Sequence, residues 1–529
     1  MQKQRSSIYL ALTAVSSACV IAISLLVYLF PEATTSAANA ALSWITTNLG
    51  FAFLWIVLLI LVFLAWMTCS KYGDIRLGTE QREFSKPQVF AMIFCASFGA
   101  SAMYWCFTEV MHYCAAPPFG IEAGSAEAYE WGLAYNFFHW GPSAWAIYAV
   151  FALPIVFSFY IKKGKEFKLS AACDAIFDGK LPKIVCKLID IVFMVSCFAV
   201  ACISLGLSVP MISACVAALL GIEASFLLNV IIIVGISVIF TITSYLGLGK
   251  GMTFLSSLNM YVFIVFLCLI VLVTGVIFTL DSSTNALGLM LNNYLRMSLW
   301  TDPITKSGFP QDWTIFYWAY WLTFGPTMGV FIARIMKGYT IRDMVVLVLG
   351  AGSIGSIIMQ GITQNFVIKL DMSGTVDAMG MVSAGQGNQF IVEALRTLPF
   401  PDIALLLFTV VTILFMATTL DSNSLTLAVA ATRRLDKNGD PSPMFRLYWC
   451  LLLAVLPLVL TLIDVELDTI KTIANVIAIP LCIVVLFMNI AMVRKMSGMF
   501  KGMNRKDIVE RYRLQETEPT DAEQERNPL

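Results

Sequence analysis

The sequence predicts an all-α integral membrane protein with about twelve transmembrane helices. Three observations predict it. Of 529 residues, 59% are hydrophobic and 13% are charged, about half the roughly 25% charge of a soluble domain. Mean hydropathy is +0.80. The apolar residues come in runs of about 20, the length an α-helix needs to cross a bilayer, and no strand-like alternation competes with them. Formal net charge is zero, so no basic balance points to nucleic acid. The lipid bilayer is the expected surrounding.

The apolar runs fall near residues 8–30, 49–68, 88–115, 138–161, 186–218, 225–246, 255–280, 313–335, 342–368, 402–431, 445–464 and 471–494. The 186–218 run is long enough to tilt strongly. The first run has Ala38 and Ala40 as a cleavage-like site after it, but its length and the charge pattern that follows favour a retained helix over a secretory signal. Basic residues crowd alternate connections. Lys71, Arg76, Arg82 and Lys86 come first, then Lys162, Lys163, Lys165, Lys168, Lys180, Lys183 and Lys187, then Lys250. Arg334, Lys337 and Arg342 follow, then Arg433, Arg434, Lys437 and Arg446. The intervening connections 31–48 and 116–137 have none, and the longer ones carry only Arg296 and Lys306, then Lys369 and Arg396. This bias puts both termini in the cytoplasm and agrees with an even number of spans.

The spans divide into two sets. Runs 88–115 and 313–335 are each followed by four more, and each carries an interruption signal: Ser97-Phe-Gly-Ala-Ser-Ala102 in the first, Gly325-Pro326 in the second. Interrupted helices at matching positions mark inverted repeats, and a broken helix in the bilayer is tolerated where it lines a cavity or is buried in protein. The expected organisation is 1–87 as an N-terminal tail with two extra helices, 88–280 as the first five-span repeat and 281–312 as a connecting segment. Residues 313–494 form the second repeat and 495–529 a polar cytoplasmic tail, a short helix followed by disorder.

Enzyme chemistry has little to work with. The thirteen cysteines show no metal-ligand spacing, only His112 and His139 are present, and no HExxH or GxSxG arrangement occurs, so no enzyme and no resident cofactor are expected. Gly350-Ala-Gly352-Ser-Ile-Gly355 imitates a dinucleotide fingerprint, with Asp371 beyond it. No strand precedes it, and small residues that let helices approach closely account for it better. Gly247-Leu-Gly249-Lys250-Gly251 reads as a turn between spans.

Chemistry-bearing residues concentrate in three places. Tyr320, Phe324 and Met328 recur at i, i+4 and i+8 beside Trp321, giving one helix face of rings and a thioether. Trp140, Trp145 and Tyr148 open another span, the last two sharing a face. Aromatic faces attract a cation that has no hydrogens to donate, so walls from two helices point to a quaternary ammonium ligand. Thr418 and Thr419 offer hydroxyls to a hard cation such as sodium, or bond back to their own helix. Asp421, an intramembrane acid, is a functional candidate by default; Glu109, the other buried acid, is read as a structural partner.

At these residues the chain resembles the betaine/carnitine/choline transporter family. Asp312-Trp-Thr-Ile-Phe-Tyr-Trp-Ala-Tyr-Trp321, continuing through Phe331-Ile-Ala-Arg334 to Gly338 and Arg342, is similar to the family's signature helix and the turn after it. Ala134-Tyr-Asn-Phe-Phe-His-Trp140 also matches, and Pro117-Pro-Phe-Gly120 and Thr301 to Pro310 resemble the carnitine/γ-butyrobetaine exchanger branch. The resemblance covers roughly residues 8–495. It implies a leucine-transporter-like fold, alternating access, a homotrimer in a bacterial cytoplasmic membrane, and a central cage of Trp140, Trp145, Tyr148, Tyr320, Trp321 and Phe324. Met328 and His112 would face the polar end of the substrate, carnitine, γ-butyrobetaine, glycine betaine or choline. Trp313 and Trp318 would border the path.

Departures from the family pattern bear on coupling. Tyr320 stands where the signature has tryptophan, and Phe324 replaces tyrosine or tryptophan. The exchanger branch carries an arginine in place of sodium after the Gly-Lys-Gly turn, whereas no arginine or lysine occurs here between Lys250 and Arg296. Thr418 and Thr419 keep the hydroxyl pair of sodium-coupled members. With Cys95, Phe98 and Phe415 they form the candidate sodium site that the resemblance implies, and the balance favours sodium-coupled symport. Sodium-independent exchange, a same-fold amino acid or amine transporter, and an osmosensing membrane protein are the alternatives.

Overall fold

The computed structural model describes residues 9–78, 81–164, 168–246, 251–432, 441–462 and 467–512. Lys165, Lys250, Arg433, Arg434 and Lys437, and the tail beyond 512, lie outside the described residues. Helices occupy all twelve predicted runs. Among the described residues, eight helical stretches are long and apolar enough to cross a membrane, or nine when one bent pair counts as a span.

Two helices lead, α1 (Leu10–Leu29) and α2 (Pro31–Cys69). Residues 31–48, expected as a connection, belong to α2. Pro31 sits in its first turn, where proline is favoured, and Ala33, Ala37, Ala38, Ala40 and Ala41 carry high helix propensity. Five spans follow. They are α3 (Lys86–Ala115), the pair α4 (Ala126–His139) and α5 (Pro142–Val156) with short α6 (Leu169–Ile176) after it, then α7 (Lys183–Leu220), α8 (Phe226–Leu246) and α9 (Thr253–Thr274). Gly275, at φ 94°, turns the chain into α10 (Val276–Leu299), which packs on α4 with one edge.

The second set begins with a π-helical turn at Pro310–Ile315 and α11 (Phe316–Ile335). Helices α12 (Ile341–Val346) and α13 (Gly352–Met372) make the next span, and α14 (Ala378–Ser383) and α15 (Gly387–Arg396) cap one face. Spans α16 (Pro401–Ala430), α17 (Pro443–Leu462) and α18 (Leu467–Met499) close the set, and α19 (Arg505–Arg511) follows. Among the described residues the order is therefore two leading helices, five helical segments, a connecting helix and five more helical segments.

Burial sorts the spans. Every residue of α11 is buried, and α5 is buried from Ser143 to Val156, as befits helices that are apolar all round. By contrast α8 exposes Leu227, Ile231, Val234, Val238 and Ile242 along one side, the side left for lipid. Helices α11 and α5 pack against each other extensively. A Cβ on Gly325 would fall 2.4 Å from the Phe151 ring, so this glycine sets how close the two come.

Two interruptions were expected, and one occurs where expected. In α3, Gly99 adopts φ 56° and ψ 165°, a conformation open to glycine, and the span bends by 65° there. At Gly325-Pro326, however, α11 continues as helix. Proline forfeits only its own amide bond, and tight packing around a fully buried helix holds the turn in place. The irregular backbone of this span lies earlier, in the turn Pro310–Ile315.

The basic connections gather on one face. Leu77 N donates to Tyr339 O and Gly338 N to Leu77 O, both at 2.8 Å, and Arg334 pairs with Glu83 at 2.9 Å. Lys71 Nζ donates to Phe500 O and Met503 O at 3.1 and 2.7 Å, while Tyr9 N donates to Ala431 O at 2.9 Å. Both ends of the described chain thus lie on the face that holds the basic loops.

Candidate functional site

Four large rings meet at the centre of the bundle. Trp140 occupies the joint between α4 and α5, and Trp145 and Tyr148, one turn apart on α5, present their rings to the same side at 5.8 Å. Trp321 comes from α11 to meet all three: its ring lies 5.4 Å from Trp140, 5.9 Å from Trp145 and 4.9 Å from Tyr148. Phe98, just before the α3 break, stacks on Trp140 at 5.2 Å and 22°. All these rings are at most 2% exposed. Trp321 Nε1 is buried with no hydrogen-bond acceptor among the described residues.

The rings are held from behind. Trp145 Nε1 donates to Ser356 Oγ at 2.9 Å, and the face of Trp145 lies on Gly352, where a Cβ would sit 2.3 Å from the ring. Of the glycines that imitated a dinucleotide fingerprint, Gly352 seats Trp145, Gly355 makes room for Phe90 and Phe94, and Gly350 faces open space. Trp140 Nε1 donates to Glu109 Oε2 at 2.7 Å. Glu109 also accepts from Tyr113 at 2.6 Å and Tyr317 at 2.5 Å, and Tyr113 reaches His139 Nδ1 at 2.8 Å. Glu109 therefore has neutral partners, in line with a structural role. Tyr113 and Tyr317 were not singled out from sequence, although the Glu109–Tyr113 spacing of four on one helix is a legible signal.

The other predicted residues form a second group. Tyr320 and Phe324 pack one turn apart with ring centroids at 4.8 Å and planes tilted by 33°. Tyr320 OH and Ser101 Oγ lie 2.8 Å apart, and Ser97 Oγ donates to Met328 Sδ at 3.7 Å. This stripe of α11 faces the residues flanking the α3 break, and it joins the four-ring group through the neighbours Tyr320 and Trp321. His112 sets its ring against Trp105 and Trp313, at 6.3 and 5.2 Å. Trp313 packs against Trp105 and Tyr113, and Trp318 against Phe138 and His139.

Oxygen atoms cluster where α16 crosses the α3 break. Thr418 Oγ1 lies 3.2 Å from Cys95 O, 3.0 Å from Leu414 O and 2.8 Å from Phe415 O. Thr419 Oγ1 lies 3.4 Å from Ala96 O and 3.0 Å from Phe415 O. Each hydroxyl has one hydrogen and several carbonyls within reach, so the niche is rich in acceptors, the chemistry that a hard cation needs. Four of the five candidate sodium residues supply these atoms; Phe98 contributes ring contacts instead. Asp421 turns the other way, to Arg446 on α17 at 2.7 Å, and both are buried. Arg446, counted with the loop cations from sequence, is thus a buried counter-ion.

A family model described as betaine/carnitine/choline family transporter matches residues 11–501. A carnitine transporter of Acinetobacter baumannii is 30% identical over 498 residues, covering 93% of this chain and 90% of that protein. The uncharacterized transporter YeaV of Escherichia coli K12 is 30% identical over 430 residues, 81% of this chain and 89% of its own. Among solved structures, a substrate-bound, outward-open sodium-coupled sialic acid symporter aligns over 88% of this chain and 87% of its own, with 11% identity and a TM-score of 0.42. With a match over nearly its whole length, this multi-pass membrane protein is a transporter, not an enzyme, and belongs to the betaine/carnitine/choline transporter family.

Proposed function

We propose that the chain moves a quaternary ammonium compound, carnitine, γ-butyrobetaine, glycine betaine or choline, by alternating access, with sodium as the coupling ion. The observation that carries this reading is the convergence of Trp140, Trp145 and Tyr148 with Trp321, four rings from two spans at centroid distances of 4.9–5.9 Å. A trimethylammonium group loses its water on entering such a box, and each ring face returns about 0.5–2 kcal/mol. The stripe Tyr320, Phe324 and Met328 extends the wall toward the α3 break. The Thr418 and Thr419 niche supports sodium coupling, because unwound backbone carbonyls hold coupling ions in transporters with broken helices. The reading extends to a homotrimer in a bacterial cytoplasmic membrane; both termini in the cytoplasm is supported by the basic loops that share a face with both ends of the described chain.

Uptake of radiolabelled carnitine and glycine betaine into proteoliposomes tests it. An inward sodium gradient is expected to drive accumulation without internal substrate, and Trp321→Leu is expected to lose most binding while the protein keeps its fold. Near-normal transport by Trp321→Leu would remove the box as the binding site. Uptake that needs internal substrate and ignores sodium would replace symport by exchange.

A further inference from the structure

A groove of about 420 Å³ opens on the outer surface of the bundle between α2, α5 and α18. Its floor and walls are apolar: Leu59 and Phe63 from α2, Val150 from α5, Val485 and Ile490 from α18. It runs about 10 Å along the two parallel helices toward the face that holds the basic loops, and it ends at Trp66 and Arg494. Trp66 is 45% exposed, as suits a ring at headgroup depth.

Charge decides what fits there. Several nearby cations are committed: Lys495 pairs with Asp178, Arg505 and Arg342 with Asp74, and Lys71 with two backbone carbonyls. Arg494 is exposed and has no hydrogen-bond or ion-pair partner among the described residues. Asn489, deeper in the groove, has spent its amide hydrogens on Val150 O and Val485 O; its remaining oxygen accepts only, so it repels an anion and leaves Arg494 as the anchor.

We propose that this groove retains one anionic phospholipid of the surrounding leaflet, with an acyl chain along Leu59, Phe63, Val150 and Val485 and the phosphate on Arg494. The occupant follows from the combination of a lipid-facing apolar channel and an unneutralised guanidinium at its headgroup end. Guanidinium binds phosphate oxygens in a planar fork.

The test uses the full chain purified in dodecyl maltoside and titrated with phosphatidylglycerol or phosphatidylcholine of identical acyl chains, with bound lipid counted by native mass spectrometry. Phosphatidylglycerol is expected to bind roughly fivefold more tightly, the preference one basic residue gives near a membrane surface. Arg494→Gln is expected to abolish that preference, and Leu59→Trp, which fills the groove at an exposed position, to weaken both lipids. Equal binding of the two lipids by the parent protein, or an undiminished preference in Arg494→Gln, overturns the proposal. So does a smaller assembly of Leu59→Trp by light scattering, which would give the groove to a second copy of the chain.

Discussion

Trp140 donates its indole N–H to Glu109 across 2.7 Å, inside a bundle where both residues are at most 1% exposed. One wall of the aromatic box is thus fixed by a carboxylate that stands behind it. Tyr113 and Tyr317 donate to the same carboxylate, so its oxygens receive three donors. In Glu109→Gln, one oxygen becomes an amide nitrogen that confronts a donor. An unsatisfied buried polar group costs about 1–3 kcal/mol. The expected result is a folded protein with a lower melting temperature and weaker substrate binding by tryptophan fluorescence. Introduced into a Trp140→Phe background, which already lacks the N–H, Glu109→Gln is expected to weaken binding less than it does in the parent, because the two changes share one interaction.

Gly352 and Gly350 separate packing from composition. They are two residues apart in the same glycine-rich stretch, but a Cβ at 352 would lie 2.3 Å from the Trp145 ring, and one at 350 would meet nothing within 4 Å. Gly352→Ala must push Trp145 off its seat, a strain of about 1–3 kcal/mol. It is expected to lower both thermal stability and affinity for a trimethylammonium ligand. Gly350→Ala is expected to leave both unchanged. Equal loss in the two variants would mean that Trp145 is not positioned through this contact.

Thr418 and Thr419 carry the coupling prediction. Replacing either with valine keeps the shape and removes the hydroxyl oxygen. If these oxygens hold sodium, the sodium concentration for half-maximal uptake rises about tenfold, equivalent to ~1.4 kcal/mol, while uptake at saturating sodium is largely kept. Serine at either position restores the parent value. A sodium dependence that is unmoved in both valine variants places the ion elsewhere.

What the sequence disclosed depended on the range of the interaction. Span positions were legible because apolar runs of bilayer length are a one-dimensional signal. The break in α3 was legible because Ser97 and the run Gly99 to Ala102 are small. The unbroken course of α11 through Gly325-Pro326 was not, because whether a proline breaks a buried helix depends on what packs around it, here Phe151 from another helix. Trp140, Trp145, Tyr148 and Trp321 were legible as aromatic clusters. Their division from the Tyr320, Phe324 and Met328 stripe, and the packing of His112 on Trp105 and Trp313, needed three dimensions. The helical start of α2 was hidden by polar residues that its alanines outweigh in helix propensity.

Asp421 shows the same limit from the other direction. An acid within a membrane span invites an ion-carrying role, yet here it faces Arg446 at 2.7 Å with both groups buried. Breaking such a pair from one side leaves an uncompensated charge in a medium that cannot solvate it, about 3–5 kcal/mol. Asp421→Asn and Arg446→Met are therefore each expected to reduce the yield of folded protein sharply. Asp421→Leu combined with Arg446→Met removes both charges and is expected to recover much of the loss, since well-packed apolar replacements of buried pairs are often neutral. The recovered double variant then divides the two roles. If the pair only ties α16 to α17, its uptake keeps the parent's dependence on sodium concentration in proteoliposomes. If Asp421 carries or senses the ion, the double variant folds but its sodium dependence is lost, and coupling would have to be assigned to this carboxylate rather than to the Thr418 and Thr419 hydroxyls.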